Sequence, residues 1–132
     1  MNKCACRGDF LDKFIQPGIL LLLVEGPAHG FLLLSRLKDE DLVGESLDPA
    51  GLYRTLKKME TAGMISSQWD PAEKPKRVYS ITEAGRHCLA NWQFTLMEYR
   101  VHIETILEAI EDAIGPLDGR PFSPCSCQIE SE

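Results

Sequence analysis

The feature that most limits how this chain can fold lies in its second half. Leu89, Trp92, Leu96, Tyr99, Ile103, Ile106 and Ile110 follow one another at steps of 3, 4, 3, 4, 3 and 4. That spacing is a heptad seam about three heptads long. Thr82 supplies an N-cap, and Glu83 in the first turn meets the positive end of the helix dipole. The third helical position is Gly85 rather than Glu or Gln, so a full capping box does not form. Gly115-Pro116 supplies the stop. A helix over 83–114 is about 48 Å long at 1.5 Å per residue. A domain of this size has a radius of gyration of about 14 Å. The helix must therefore outrun its own core, and its exposed seam calls for a partner. An identical chain is the simplest one.

Upstream, the chain is cut into short pieces. The apolar run 19–24 stops at Gly26-Pro27. A second segment opens at His29-Gly30, carries Phe31, Leu33, Leu34 and Leu37, and ends in Asp39-Glu40-Asp41. Two helices joined by a tight Gly/Pro turn are expected, with His29 satisfying backbone groups at that turn. Asp48 is a good N-cap, and Pro49 follows at the first helical position, where its missing N–H costs nothing. Leu52, Leu56 and Met59 keep one apolar face, and Gly63 ends the helix. Its polar face carries Tyr53, Arg54, Lys57 and Lys58. The runs 64–69 and 77–81 alternate like strands and flank a loop at 70–76, which predicts an antiparallel hairpin with a long basic tip. Cys88 reads as a small buried hydrophobe.

The net charge of −6 conceals an uneven distribution. Residues 1–47 carry five basic and seven acidic side chains, residues 48–88 seven and five, and residues 89–132 two and eight. The middle third is a positive island in an acidic protein. Binding responds to the field within a Debye length of about 8–10 Å rather than to the whole-chain sum. The longest apolar runs, 19–24 and 31–34, fall well short of the roughly 20 residues that span a bilayer. The N-terminus, with Asp9 and Asp12, does not read as a signal peptide. A cytoplasmic protein without a membrane partner is expected.

Helix, helix, short basic helix and hairpin is the order of a winged helix-turn-helix. The expected fold is mainly α with a small β-hairpin, followed by a long C-terminal dimerisation helix. The expected divisions are a Cys-bearing tail at 1–9, a winged-helix DNA-binding domain at 10–82, the dimerisation helix at 83–114 and a flexible Cys-bearing tail at 115–132. In such a fold the third helix enters the major groove and the hairpin reaches adjacent backbone. Arg54 and Lys57 can neutralise phosphates or donate to guanine edges. Tyr53 can donate its hydroxyl to a phosphate, Lys58 lies on the same face, and Lys74, Lys76 and Arg77 sit where the hairpin approaches the duplex. No Gly-rich phosphate loop, Ser/His/Asp spacing or zinc-hydrolase motif is present, so no enzyme is expected. A winged-helix module that binds protein instead of DNA is the alternative; it would favour apolar residues on the third helix.

Three stretches carry a family resemblance. Residues 51–65, Gly-Leu-Tyr-Arg-Thr-Leu-Lys-Lys-Met-Glu-Thr-Ala-Gly-Met-Ile, resemble the third helix of PadR-type transcriptional regulators. Val78-Tyr79-Ser80-Ile81-Thr82-Glu83-Ala84-Gly85 resembles their wing-to-helix signature. Ile19 to Leu23 with Gly26-Pro27-Ala28-His29-Gly30 resembles their first helix and turn, with Phe31 where a Tyr usually follows His-Gly. The likeness covers about residues 10–112, and the single long helix after the wing matches the shorter PadR subfamily. It implies a homodimeric repressor on a pseudo-palindromic operator, released by a small molecule or another signal. It also implies that aromatic residues of the long helix can line a cavity between subunits. Trp92, Leu96 and Tyr99 are the candidates, with Phe14 and Ile15 as a wall; the other reading is plain dimer core.

Four of the five cysteines form Cys4-Ala5-Cys6 and Cys125-Ser126-Cys127, one pair at each end. This is not a disulfide framework. Either they are exposed thiols or they form a thiolate site for zinc or an iron–sulfur cluster, which need four soft ligands. Oxidation across the same sulfurs would be the redox version of such a sensor.

Overall fold

The computed structural model describes residues 14–40, 42, 47–71 and 76–117. The elements run α1 (Ile15–Val24), β1 (Ala28–His29), α2 (Gly30–Asp39), α3 (Pro49–Thr61), β2 (Ile65–Asp70), β3 (Lys76–Ile81) and α4 (Glu83–Ile114). Helix α1 is apolar almost all round, which suits only a helix surrounded by protein. It packs on α2, α3, β3 and α4. Its Ile19, Leu20, Leu22 and Leu23 form one cluster with Leu33 and Leu37 of α2, Leu52, Leu56 and Met59 of α3, and Ile65 of β2. Pro17 lies in the first turn of α1, where the backbone N–H has no intrahelical partner to lose.

The cap of α3 forms as its sequence dictates. The Asp48 carboxylate accepts a hydrogen bond from the Gly51 N–H at 2.8 Å, and Pro49 opens the first turn. Gly63, at φ 85°, turns the chain out of the helix. Asp48→Ala is expected to cost about 1 kcal/mol, readable as a lower urea midpoint with an unchanged m-value.

The sheet differs from the expected hairpin. It has three antiparallel strands in the order β1-β3-β2. Ala28 pairs with Tyr79 and His29 with Val78, so the segment read as a turn is also a short edge strand. Two residues are too few to show alternation, and their partner lies about 50 positions away. Strands β2 and β3 pair from Ile65↔Ile81 to Asp70↔Lys76. His29 also departs from expectation. Its side chain makes no cap hydrogen bond at the start of α2, and its buried Nδ1 has no partner among the described residues.

Thr82 fastens α4 to the turn after α3. Its hydroxyl accepts from the Gly85 N–H at 3.0 Å and is placed to donate to the carbonyls of Gly63 at 2.7 Å or Met64 at 2.9 Å. From there α4 runs for 32 residues. Only its start touches the core, through a half-buried Cys88, Leu89 and Trp92. Tyr99, Ile103, Ile106 and Ile110 are 36–58% exposed. No helix among the described residues is long and apolar enough to cross a membrane.

Candidate nucleic-acid interface

Helix α3 divides cleanly into two faces. Leu52, Leu56 and Met59 are buried, whereas Tyr53, Arg54, Lys57 and Lys58 are exposed. Among the described residues no carboxylate pairs with Arg54, Lys57 or Lys58, whereas Arg36 is paired with Glu25 and Glu40. Three uncommitted cations on one helix leave a positive strip open to a polyanion. Tyr53 has a second task. A Cβ on Gly30 would come within 2.5 Å of the Tyr53 ring, so the bare glycine lets that ring lie against the start of α2 and brace α3. Tyr53 still remains 46% exposed.

The wing stands beside this helix. Lys76 and Arg77 are exposed on β3. Lys74 lies outside the described residues, as do Cys4, Cys6, Cys125 and Cys127. Arg77 is not a free cation. Its guanidinium lies over the Trp69 ring, 5.2 Å from the centroid, and donates to the Ser67 hydroxyl at 2.8 Å. Ser67 in turn donates to the Glu60 carboxylate of α3 at 2.6 Å. The sequence reading passed over Glu60, Ser67 and Trp69. An aromatic at the end of a polar-flanked strand was the available signal, but its partner depends on strand register. Next to this chain, burial pushes the Tyr79 hydroxyl above its ordinary pKa, and the Glu60 charge adds to the effect.

A groove of about 630 Å³ separates α1 from the first half of α4. Phe14, Leu21 and Val24 line one side and Leu89, Trp92 and Leu96 the other, with Arg86 and Gln93 supplying polar groups. Of the candidate effector residues, Phe14, Trp92 and Leu96 thus come together. Tyr99 joins them through an edge-to-face contact with Phe14, centroids 6.3 Å apart. Ile15 does not line the groove; it is buried in the core cluster.

The model of the transcriptional regulator PadR-like family matches residues 19–91, from α1 through the wing to the first third of α4. The chain belongs to the PadR-like family of transcriptional regulators. Its match to the family model is shorter than the 10–112 span of the motif resemblance, and the distal seam of α4 lies beyond it. The structure of TA0346 from Thermoplasma acidophilum is 31% identical, with a TM-score of 0.64 over 74% of this chain and 94% of that one. Two more distant structures show the same fold. A PadR family transcription regulator from Clostridium difficile R20291 is 20% identical, with a TM-score of 0.57 over 74% of this chain and 97% of that one. A PadR-like transcriptional regulator from Bacillus cereus is 16% identical, with a TM-score of 0.64 over 74% and 94%. Among curated proteins none matches the chain. As a PadR-family winged helix, the chain carries its uncommitted cations on the third helix, the element that enters the major groove in helix-turn-helix proteins.

Proposed function

We infer that this PadR-family protein is a homodimeric repressor that holds a pseudo-palindromic duplex and is released by a signal. The observation that carries the DNA-binding reading is the face of α3, where Arg54, Lys57 and Lys58 are exposed and unpaired among the described residues. A protein-binding module would place apolar side chains there, and Tyr53 is the sole aromatic on that face. Dimerisation is supported by the apolar row on the distal part of α4, where Ile103, Ile106 and Ile110 are 47–58% exposed. Two half-sites about one DNA turn apart need two recognition helices held together. For the signal, the groove between α1 and α4 suits an apolar small molecule, with Trp92 and Leu96 as its floor. The terminal cysteines remain a second sensor reading, testable by Cys4→Ser and Cys6→Ser with metal content and thiol oxidation as readouts.

The test begins with a random-sequence duplex library, from which the wild-type protein should enrich a two-half-site sequence. Binding to that duplex should weaken steeply with salt, with a log–log slope of about −0.9 per phosphate contact. Arg54→Ala should lower affinity by about tenfold or more without changing the urea midpoint, because its side chain lies outside the core. Equal binding by Arg54→Ala and wild type would remove α3 as the reading helix.

A further inference from the structure

Trp69 is 64% exposed, although an indole is among the costliest side chains to leave in water. Folding does not explain it. Tyr79 and Ser67 share its side of the sheet, by strand alternation and by the pairing of Ser67 with Tyr79. That side packs inward on α3 near Tyr79 and runs outward to Trp69 and Arg77. The indole therefore projects from the wing on the same side of the sheet as the recognition helix. Directly opposite it in the ladder is Arg77, whose guanidinium covers one face of the ring. Among the described residues the ring N–H has no hydrogen-bond partner, and most of the indole is exposed.

We propose that Trp69 is a DNA contact of the wing, held in place by a relay that runs from Glu60 of α3 through Ser67 to Arg77. This rests on the DNA-binding reading above and adds a contact and its positioning residues to it. The relay is a closed chain of donors. Arg77 donates to Ser67, and Ser67 donates to Glu60. A serine hydroxyl has one proton, so the two bonds together fix its orientation. Glu60 is anchored in α3 beside the buried Met59. The position of the guanidinium, and with it the tilt of the indole, is thus referred to the recognition helix rather than to the hairpin alone. A two-stranded ribbon twists and flexes readily; a side-chain chain that ties it to a helix removes that freedom before binding, and with it part of the ordering cost. Arg77, expected from sequence to sit where the hairpin approaches the duplex, acts here chiefly as the clamp on Trp69.

The chemistry fits the sugar–phosphate backbone of a duplex. The indole N–H is a donor with no acceptor function, suited to a phosphate oxygen. The exposed part of the ring can lie against a deoxyribose. The cation on that side of the sheet is Arg77; Lys76, its neighbour on β3, faces the other side, opposite Asp70. A protein partner would gain nothing from the Arg77 charge unless it were acidic.

Electrostatics and positioning make opposite forecasts for Glu60, which makes the test sharp. Removing a carboxylate near a polyanion should by charge alone raise affinity. Removing the anchor of the wing should lower it. With the duplex enriched by the wild-type protein, Glu60→Ala and Ser67→Ala are expected to bind about three- to tenfold more weakly, and Ser67→Thr, which keeps the hydroxyl, to restore binding. Trp69→Ala should bind about tenfold more weakly, with Trp69→Phe between it and wild type. In protein labelled with 5-fluorotryptophan, the fluorine resonance lost in Trp69→Phe identifies Trp69, and that resonance should shift on adding the duplex. Glu60→Ala binding as well as wild type or better overturns the relay. An unmoved Trp69 resonance together with wild-type affinity for Trp69→Ala overturns the contact, and leaves α3 as a reader if Arg54→Ala still fails. A wild-type protein that enriches no duplex overturns both the contact and the reading beneath it.

Discussion

Ile106→Asp is expected to leave a folded protein that is monomeric and no longer holds a two-half-site duplex. Ile106 is 58% exposed within one chain, and it lies about four turns beyond Trp92, the last seam residue that packs on the core. Replacing it should therefore spare the helical circular dichroism signal and the buried cluster around α1. In a dimer joined through the seam, the same position is buried against a partner. A carboxylate there is desolvated without a cation, which costs several kcal/mol, and the two-fold axis places it twice. Light scattering at tens of micromolar (roughly) should report a dimer for the wild type and a monomer for the variant. Operator affinity should fall at least a hundredfold, about the loss expected when one of two tethered half-site contacts is released. Ile106→Leu keeps the apolar volume and should keep the dimer. A dimeric Ile106→Asp protein would move the interface away from this seam.

The second large effect concerns stability. A Cβ added to Gly85 would collide with the carbonyl oxygen of Met64 and come within 2.8 Å of the Ile81 side chain. The Met64 backbone cannot give way easily. The Met64 carbonyl accepts from the Thr82 N–H at 3.1 Å, and the Met64 N–H donates to Met59 at 3.0 Å. Thr82 caps α4 on the other side. Gly85→Ala should therefore cost about 3 kcal/mol, a large share of the roughly 5–15 kcal/mol that holds a domain of this size together. The check is a urea titration against Ala84→Ser, one residue away on the exposed face of α4, expected within about 0.5 kcal/mol of wild type. Because Gly85 sets how α4 leaves the wing, the alanine variant should also lose operator affinity at concentrations where it remains folded.

What the amino-acid order determined by itself is whatever a few neighbouring residues can settle. Asp48, Pro49 and Gly63 delimit α3 because caps and stops act within one turn. The seam from Leu89 to Ile110 was legible because a helix converts spacing directly into a face. The strands at 64–69 and 77–81 came within one residue of β2 and β3, since alternation is also local, and three motifs in order were enough to place the chain among PadR-type regulators. The tertiary structure decided the rest, because it depends on which distant segments meet. Ala28 and His29 become a third strand only where Tyr79 and Val78 offer an edge. Arg77 turns from a free cation into the clamp on Trp69 once strand register sets them opposite each other and α3 brings Glu60 to Ser67. The groove exists because α4 crosses α1, and Ile15 falls on the core side of that crossing while Phe14, one residue earlier, falls on the open side. A shift of one residue on a helix rotates a side chain by about 100°, and only the packed partner says which direction is inward.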